Sequence, residues 1–146
     1  MSGERERRGF RDIAHTADKA IEAWGATLAE LFTAAAEGMI SESEDCSRIP
    51  RDREWEIEVE GESAEDLMHA WLSELLWVAE RDEAMPCEIE VDAVEQGPWR
   101  LRGRARGGRP PRESPHTGAP VKAVTYHGLR VWQEDGLWRC RVVFDV

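Results

Sequence analysis

An α+β fold, with two helices packed on one face of a largely antiparallel mixed sheet, is predicted by three features of this 146-residue sequence. Two segments carry apolar residues at helical spacing behind capping sequences, and most of the rest alternates apolar and charged residues at the strand period of two. Turn residues punctuate the strands at Gln96-Gly97-Pro98 and Asp135-Gly136. The length suits one domain with its own core.

The elements follow in order. A first strand is predicted over Lys19 to Trp24. After Gly25, Thr27-Leu28-Ala29-Glu30 is a capping box, and Leu28, Leu31, Phe32, Ala35 and Met39 continue at helical spacing to about Ile40. Ser63-Ala64-Glu65-Asp66 opens the second helix in the same way. Leu67, Trp71, Leu72, Leu75 and Val78 form its buried stripe, to about Arg81. Between the helices, Trp55, Ile57 and Val59 alternate with Glu54, Glu56, Glu58 and Glu60; after them, Cys87, Ile89 and Val91 alternate with Glu88, Glu90 and Asp92.

The next strand, Trp99 to Arg106, has arginine at every even position, and the acidic hairpin strand before it supplies partners for Arg100, Arg102, Arg104 and Arg106. A phosphate-binding rail is the weaker reading on a chain of net charge -11. Gly107 to Pro120, which includes His116, is a loop rich in Gly, Pro and Arg. Three strands close the chain, over Val121–Tyr126, Leu129–Trp132 and Leu137–Asp145. The acidic Ser41–Asp45 and basic Arg48–Arg53 form a solvated linker. Residues 1–9 are expected to be a flexible N-terminus and residues 10–146 the folded domain.

The charge of -11 favours cations and basic protein surfaces as partners and disfavours direct, non-specific nucleic-acid binding. No apolar run approaches the roughly 20 residues of a membrane helix, and the first residues lack the apolar core of a signal peptide, so a cytoplasmic protein is expected. Cys46, Cys87 and Cys140 are an odd number at wide spacing, which argues against a disulfide framework or a zinc ribbon and for free, mostly buried thiols. Only two of the 19 basic residues, Lys19 and Lys122, are lysines. A chain that otherwise uses arginine marks both as positions where a compact ammonium could matter.

The common enzyme signatures, Gly-x-Ser-x-Gly, a phosphate loop, a dinucleotide fingerprint and His-Glu-x-x-His, are absent, and no catalytic residue is assigned. What remains is Ala14-His15-Thr16-Ala17-Asp18, Lys122, Tyr126-His127-Gly128, and Asp145 beside Val146. Trp138, Cys140, Val142, Phe144 and Val146 share the apolar face of the last strand, which sends Asp145 to the face of Arg139 and Arg141. From spacing alone, an Asp145–arginine pair and a turn cap at Asp18 are favoured over a metal site.

His15-Thr16-Ala17-Asp18, Trp71-Leu72-Ser73-Glu74-Leu75-Leu76, Val121-Lys122-Ala123-Val124-Thr125-Tyr126-His127-Gly128-Leu129 and the final Asp145-Val146 together strongly resemble the archease family, collinearly from about Phe10 to Val146. The resemblance implies a non-enzymatic accessory protein of the RtcB-type RNA ligase in tRNA splicing and RNA repair. Such a protein promotes GTP-dependent guanylylation of the ligase and its multiple turnover; RNA and GTP are met only through the ligase. It also implies a metal site at Asp18, Asp145 and the main-chain carboxylate of Val146. Oxygen donors of this kind suit Ca²⁺, Mg²⁺ or Mn²⁺. Lys122 becomes a contact to the ligase or to a phosphate, with His15 and His127 in the same region, although a sheet-face ion pair for Lys122 and backbone-satisfying turn roles for both histidines stay open. Lys19-Ala20 stands where the family usually carries Ile-Gly; strand alternation turns Lys19 away from Asp18, yet its charge could weaken cation affinity. The competing classes are a stand-alone cation-binding protein or metal-dependent hydrolase, and a chaperone-like module for an RNA-modifying enzyme.

Overall fold

The computed structural model describes residues 7–13, 19–111 and 120–146. The order is β1 (Arg8–Ile13), β2 (Lys19–Gly25), α1 (Leu28–Ser43), a 3-10 turn (Cys46–Arg48), β3 (Arg53–Gly61), α2 (Ala64–Asp82), β4 (Met85–Glu95), β5 (Trp99–Gly108), β6 (Ala123–Glu134) and β7 (Leu137–Asp145). The α+β class holds. The strands divide into two sheets, of order β1-β2-β7-β6 and β3-β5-β4, and every described pairing is antiparallel. β1 begins inside the segment expected to be flexible, and Arg7 just ahead of it binds Glu30 at 2.7 Å.

Both helices start as the capping sequences require. Thr27 Oγ1 accepts the Glu30 N–H at 3.1 Å, and Ser63 Oγ accepts that of Asp66 at 3.0 Å. α2 ends with Glu83 in the left-handed region at φ 50°, and its amide donates to the carbonyls of Ala79 and Glu80. Trp55 Nε1 donates to Asp82 at 2.7 Å and Arg81 grips the same carboxylate through two bonds of 2.9 Å. These donors, the arginine first, hold the Asp82 carboxyl far below the usual carboxylate range.

Each helix touches both sheets: α1 packs on β1, β2 and β4, and α2 on β3, β5 and β6. From Leu31 to Ile40 every residue of α1 except Glu37 is buried. A Cβ on Gly38 would come within 2.8 Å of Ile21 and 3.0 Å of Phe10, so glycine sets the approach of α1 to β1 and β2. The helices are joined by Trp71, fully buried, whose Nε1 donates to the Phe32 carbonyl at 2.9 Å.

Two strands predicted around Tyr126 are one. β6 runs through Ala123–Glu134, and its pairing with β7 is interrupted between Thr125 and Arg130, where Gly128 has φ +69°. An unpaired residue with positive φ looks like a turn in sequence, but here it is an irregularity within a continuing strand. The Asp135-Gly136 turn is as predicted, with φ 55° and 76°.

The arginine stripe is bracketed on both sides because β5 is the central strand of its sheet. Arg104 reaches Glu90 at 3.0 Å, Asp92 at 3.4 Å and Glu54 at 4.0 Å, while Arg100 pairs with Glu60 of β3 at 3.6 Å. Glu88 is bound instead by Arg51, at 3.1 Å.

The expectation of free thiols fails for two of the three cysteines: Cys46 and Cys87 form a disulfide, and Cys140 is free and buried. Wide spacing misled because the 3-10 turn folds back on β4, bringing Cα atoms 41 residues apart in sequence to 5.8 Å. In the chain-entropy account a loop of this length stabilises the fold by ~4 kcal/mol. Burial pushes the Cys140 thiol up to about 12. Among the described residues, no helix is long and apolar enough to cross a membrane.

Trp71→Ala should cost about 3–5 kcal/mol, combining an aromatic-sized cavity with the lost bond to Phe32, measured as the shift in urea midpoint at constant slope.

Candidate functional site

The site region is the end of β7. That strand is held between β2 and β6, with Phe144 opposite Lys19 on one side and Val124 on the other. Cys140, Val142 and Phe144 are fully buried, and the alternation leaves Asp145 exposed on the opposite face, as predicted. Asp145 lies across from Ala123, and its carbonyl accepts the Lys122 N–H at 2.8 Å. Its last-strand neighbour Arg139 pairs with Glu134 at 3.6 Å, and among the described residues no ion pair joins Asp145 to Arg139 or Arg141. The ion-pair reading of Asp145 therefore has no support. Val146 follows, half-buried.

Lys19 is committed to the other face. Its Nζ donates to the Glu42 carbonyl and lies 4.0 Å from the Glu42 carboxylate, near the end of α1. Burial, together with the neighbouring Asp12 carboxylate, raises the Glu42 carboxyl above its ordinary range, and Lys19 offsets part of this. The ammonium thus neutralises an acidic spot between α1 and the sheet. It does not extend toward the face that carries Asp145.

Lys122 is exposed and lines an open groove of about 860 Å³ between α2 and the start of β6, together with His69, Ser73, Trp77 and Glu80. Main-chain bonding brings Lys122 and Asp145 together, but their side chains serve different faces. His127 lies five positions after Lys122, within the interruption of β6. It is exposed, and its main-chain N–H donates to Thr125 Oγ1 at 3.2 Å. His15 and Asp18 lie outside the described residues, as does His116. Among the described residues no group of three or more His, Cys, Asp or Glu side chains could hold a metal ion.

Several residues of this region have no sequence signal. His69 stacks on Tyr126 with ring centroids 3.9 Å apart, bonds the Val124 carbonyl through Nε2 at 3.0 Å, and meets Ser73 Oγ at 3.4 Å. The Tyr126 hydroxyl donates to Asp66 at 2.9 Å. Glu42 and Ser43 sit in what the periodicity treats as linker; α1 extends through them because Lys19 and Val121 bond to them. Their partners are distant in sequence, so no local pattern announces them.

The model of the archease protein family matches residues 10–146. This chain belongs to the archease family. It is 38% identical over 141 residues to the protein archease of Methanopyrus kandleri, covering 94% of this chain and 99% of the relative. The archease of Archaeoglobus fulgidus is 36% identical over 137 residues, covering 94% and 98%. The solution structure of a Methanobacterium thermoautotrophicum protein superposes with a TM-score of 0.80 at 30% identity, over 94% of this chain and 99% of that one. The crystal structure of a Thermotoga maritima archease, described as a possible chaperone, does so with a TM-score of 0.63 at 26% identity, over 93% and 96%.

The Asp66 carboxyl is held below its usual range, first by the Tyr126 hydroxyl and then by the Glu62 N–H. A carboxyl depressed in the folded state adds stability above its unfolded pKa, and that stability is lost as pH falls through the folded value. Tyr126→Phe should therefore move the Asp66 titration upward in an NMR pH series and reduce the stability that this carboxyl loses in acid. An unchanged Asp66 titration would show that the Glu62 amide suffices.

Proposed function

We propose that this protein activates an RtcB-type RNA ligase in tRNA splicing and RNA repair, promoting GTP-dependent guanylylation of the ligase and its multiple turnover. Full-length membership of the archease family carries the reading. The ligase makes and breaks the covalent bonds. This chain supplies a surface that orders the ligase's nucleotide site.

A divalent cation, Ca²⁺, Mg²⁺ or Mn²⁺, would be held by Asp18, Asp145 and a main-chain oxygen of Val146. The donor chemistry fits: Asp145 is an exposed carboxylate, and all three positions offer the oxygens that hard cations take. Lys19, which follows Asp18, pairs with Phe144, which precedes Asp145. The engagement of its ammonium with Glu42, on the face away from Asp145, supports the reading of a cation nearby. Such a cation would supply electrostatic stabilisation of anionic oxygens. Lys122 presents its ammonium at the groove on the adjoining face, where it would meet a phosphate or an acidic group of the ligase.

Purified protein is added to the ligase from the same source with GTP, Mn²⁺ and an RNA bearing a 2′,3′-cyclic phosphate. Faster guanylylation and repeated turnover are expected; unchanged rates with retained co-purification would leave the chaperone-like docking module instead. Asp145→Asn should cut the stimulation by about tenfold or more while leaving the thermal midpoint in place, as loss of a cation ligand or its support does. Lys122→Arg should fail to restore what Lys122→Ala loses, because a planar guanidinium does not replace a compact ammonium.

A further inference from the structure

We propose that the last turn of α1 positions the candidate site and that the Cys46–Cys87 disulfide fastens that turn, making the site sensitive to reduction; the link to activity rests on the function proposed above. Adjacent residues of this turn hold the two strands that flank the end of β7. The Glu42 carbonyl accepts the Lys19 ammonium at the first residue of β2. Ser43 Oγ, in a residue only 5% exposed, accepts the Val121 N–H at 3.1 Å. The next amide, that of Lys122, donates to the Asp145 carbonyl at 2.8 Å. Val121 precedes β6, which starts at Ala123, and its amide bonds to Ser43 rather than to a strand. Ser43 stands in for a strand partner at Val121.

What keeps the turn in place lies on the opposite sheet. The Glu44 N–H closes α1 on the Ile40 carbonyl at 2.9 Å, Asp45 caps the 3-10 turn through the Ser47 N–H at 3.0 Å, and Cys46 opens that turn, bonded to Cys87 of β4. Non-covalent support comes from Arg51, which donates to the carbonyls of Cys46 and Ile49 and to the Glu88 carboxylate. The disulfide is therefore a covalent cross-link from β4 of the three-stranded sheet to the chain just after the turn that holds Lys19 and Val121. Both sulfur-bearing residues are half-buried, and a cleft of about 410 Å³, lined also by Glu37, Ile40 and Glu44, opens onto them. A dithiol can enter there. Its two thiols give up two electrons and two protons, the Cys46–Cys87 bond becomes two thiols, and the dithiol closes to its own disulfide.

The test follows amide exchange of the full chain by NMR, before and after treatment with a dithiol, with alkylation as the count of thiols. Two further alkylated cysteines are expected on reduction, with Cys140 unlabelled until the protein is denatured. The Val121 and Lys122 amides should then exchange about tenfold faster, the change that loss of one hydrogen bond produces. Ser43→Ala should reproduce the faster exchange with the disulfide intact, and Ser43→Thr, which keeps the hydroxyl, should restore slow exchange. Ligase stimulation should fall in step with exchange across these samples. Unchanged exchange at Val121 and Lys122 in either the reduced protein or Ser43→Ala overturns the proposal whatever the ligase does. Faster exchange with no ligase stimulation in any sample supports the positioning role and removes the ligase reading alone.

Discussion

Helix α1 is buried on almost every side, and the rest of the structure is arranged around that constraint. Its middle, Thr33-Ala34-Ala35-Ala36 and Gly38, is made of small residues, so β1 and β2 approach from one direction and β4 from another. Such a helix has no polar face to spare for solvent. At its end, Glu42 and Ser43 meet chain from the start of β2 and from just before β6. The site region thus inherits its position from the best-packed element of the fold.

α2 plays a different part. One stripe enters the core through Leu67, Met68, Trp71, Leu72, Leu75 and Val78, and the remaining faces stay accessible. Hence α2 can carry Trp77, 52% exposed, and His69 at the margin of the groove while it still braces β3 and β6. The contact between α2 and β6 is polar at its edge. Asp66 meets the Tyr126 hydroxyl within the interruption in β6, and the Glu65 carboxylate accepts the Val131 N–H at 2.9 Å just beyond it. Those bonds tie α2 to the edge strand β6.

Charge is distributed by the same logic. The three-stranded sheet carries arginines on its middle strand and acids on both neighbours, so the basic stripe is neutralised where it stands. Exposed pairs of this kind add little stability individually. Their larger effect is to leave the chain's charge of -11 as the field a partner meets.

The helices, the alternating strands, the Asp135-Gly136 turn and the outward direction of Asp145 were legible in the sequence, because each depends on residues within a few positions of one another. The archease resemblance was legible for a related reason, since its segments keep their order and separation along the chain. Only the tertiary structure decided the division into two sheets, the Cys46–Cys87 bond, the stack of His69 on Tyr126 and the commitment of Lys19 to Glu42. Each of these joins residues brought together by packing rather than by local periodicity. The end of α1 shows the difference most plainly: periodicity stopped it near Ile40, but partners 23 and 78 residues away in sequence hold its last turn.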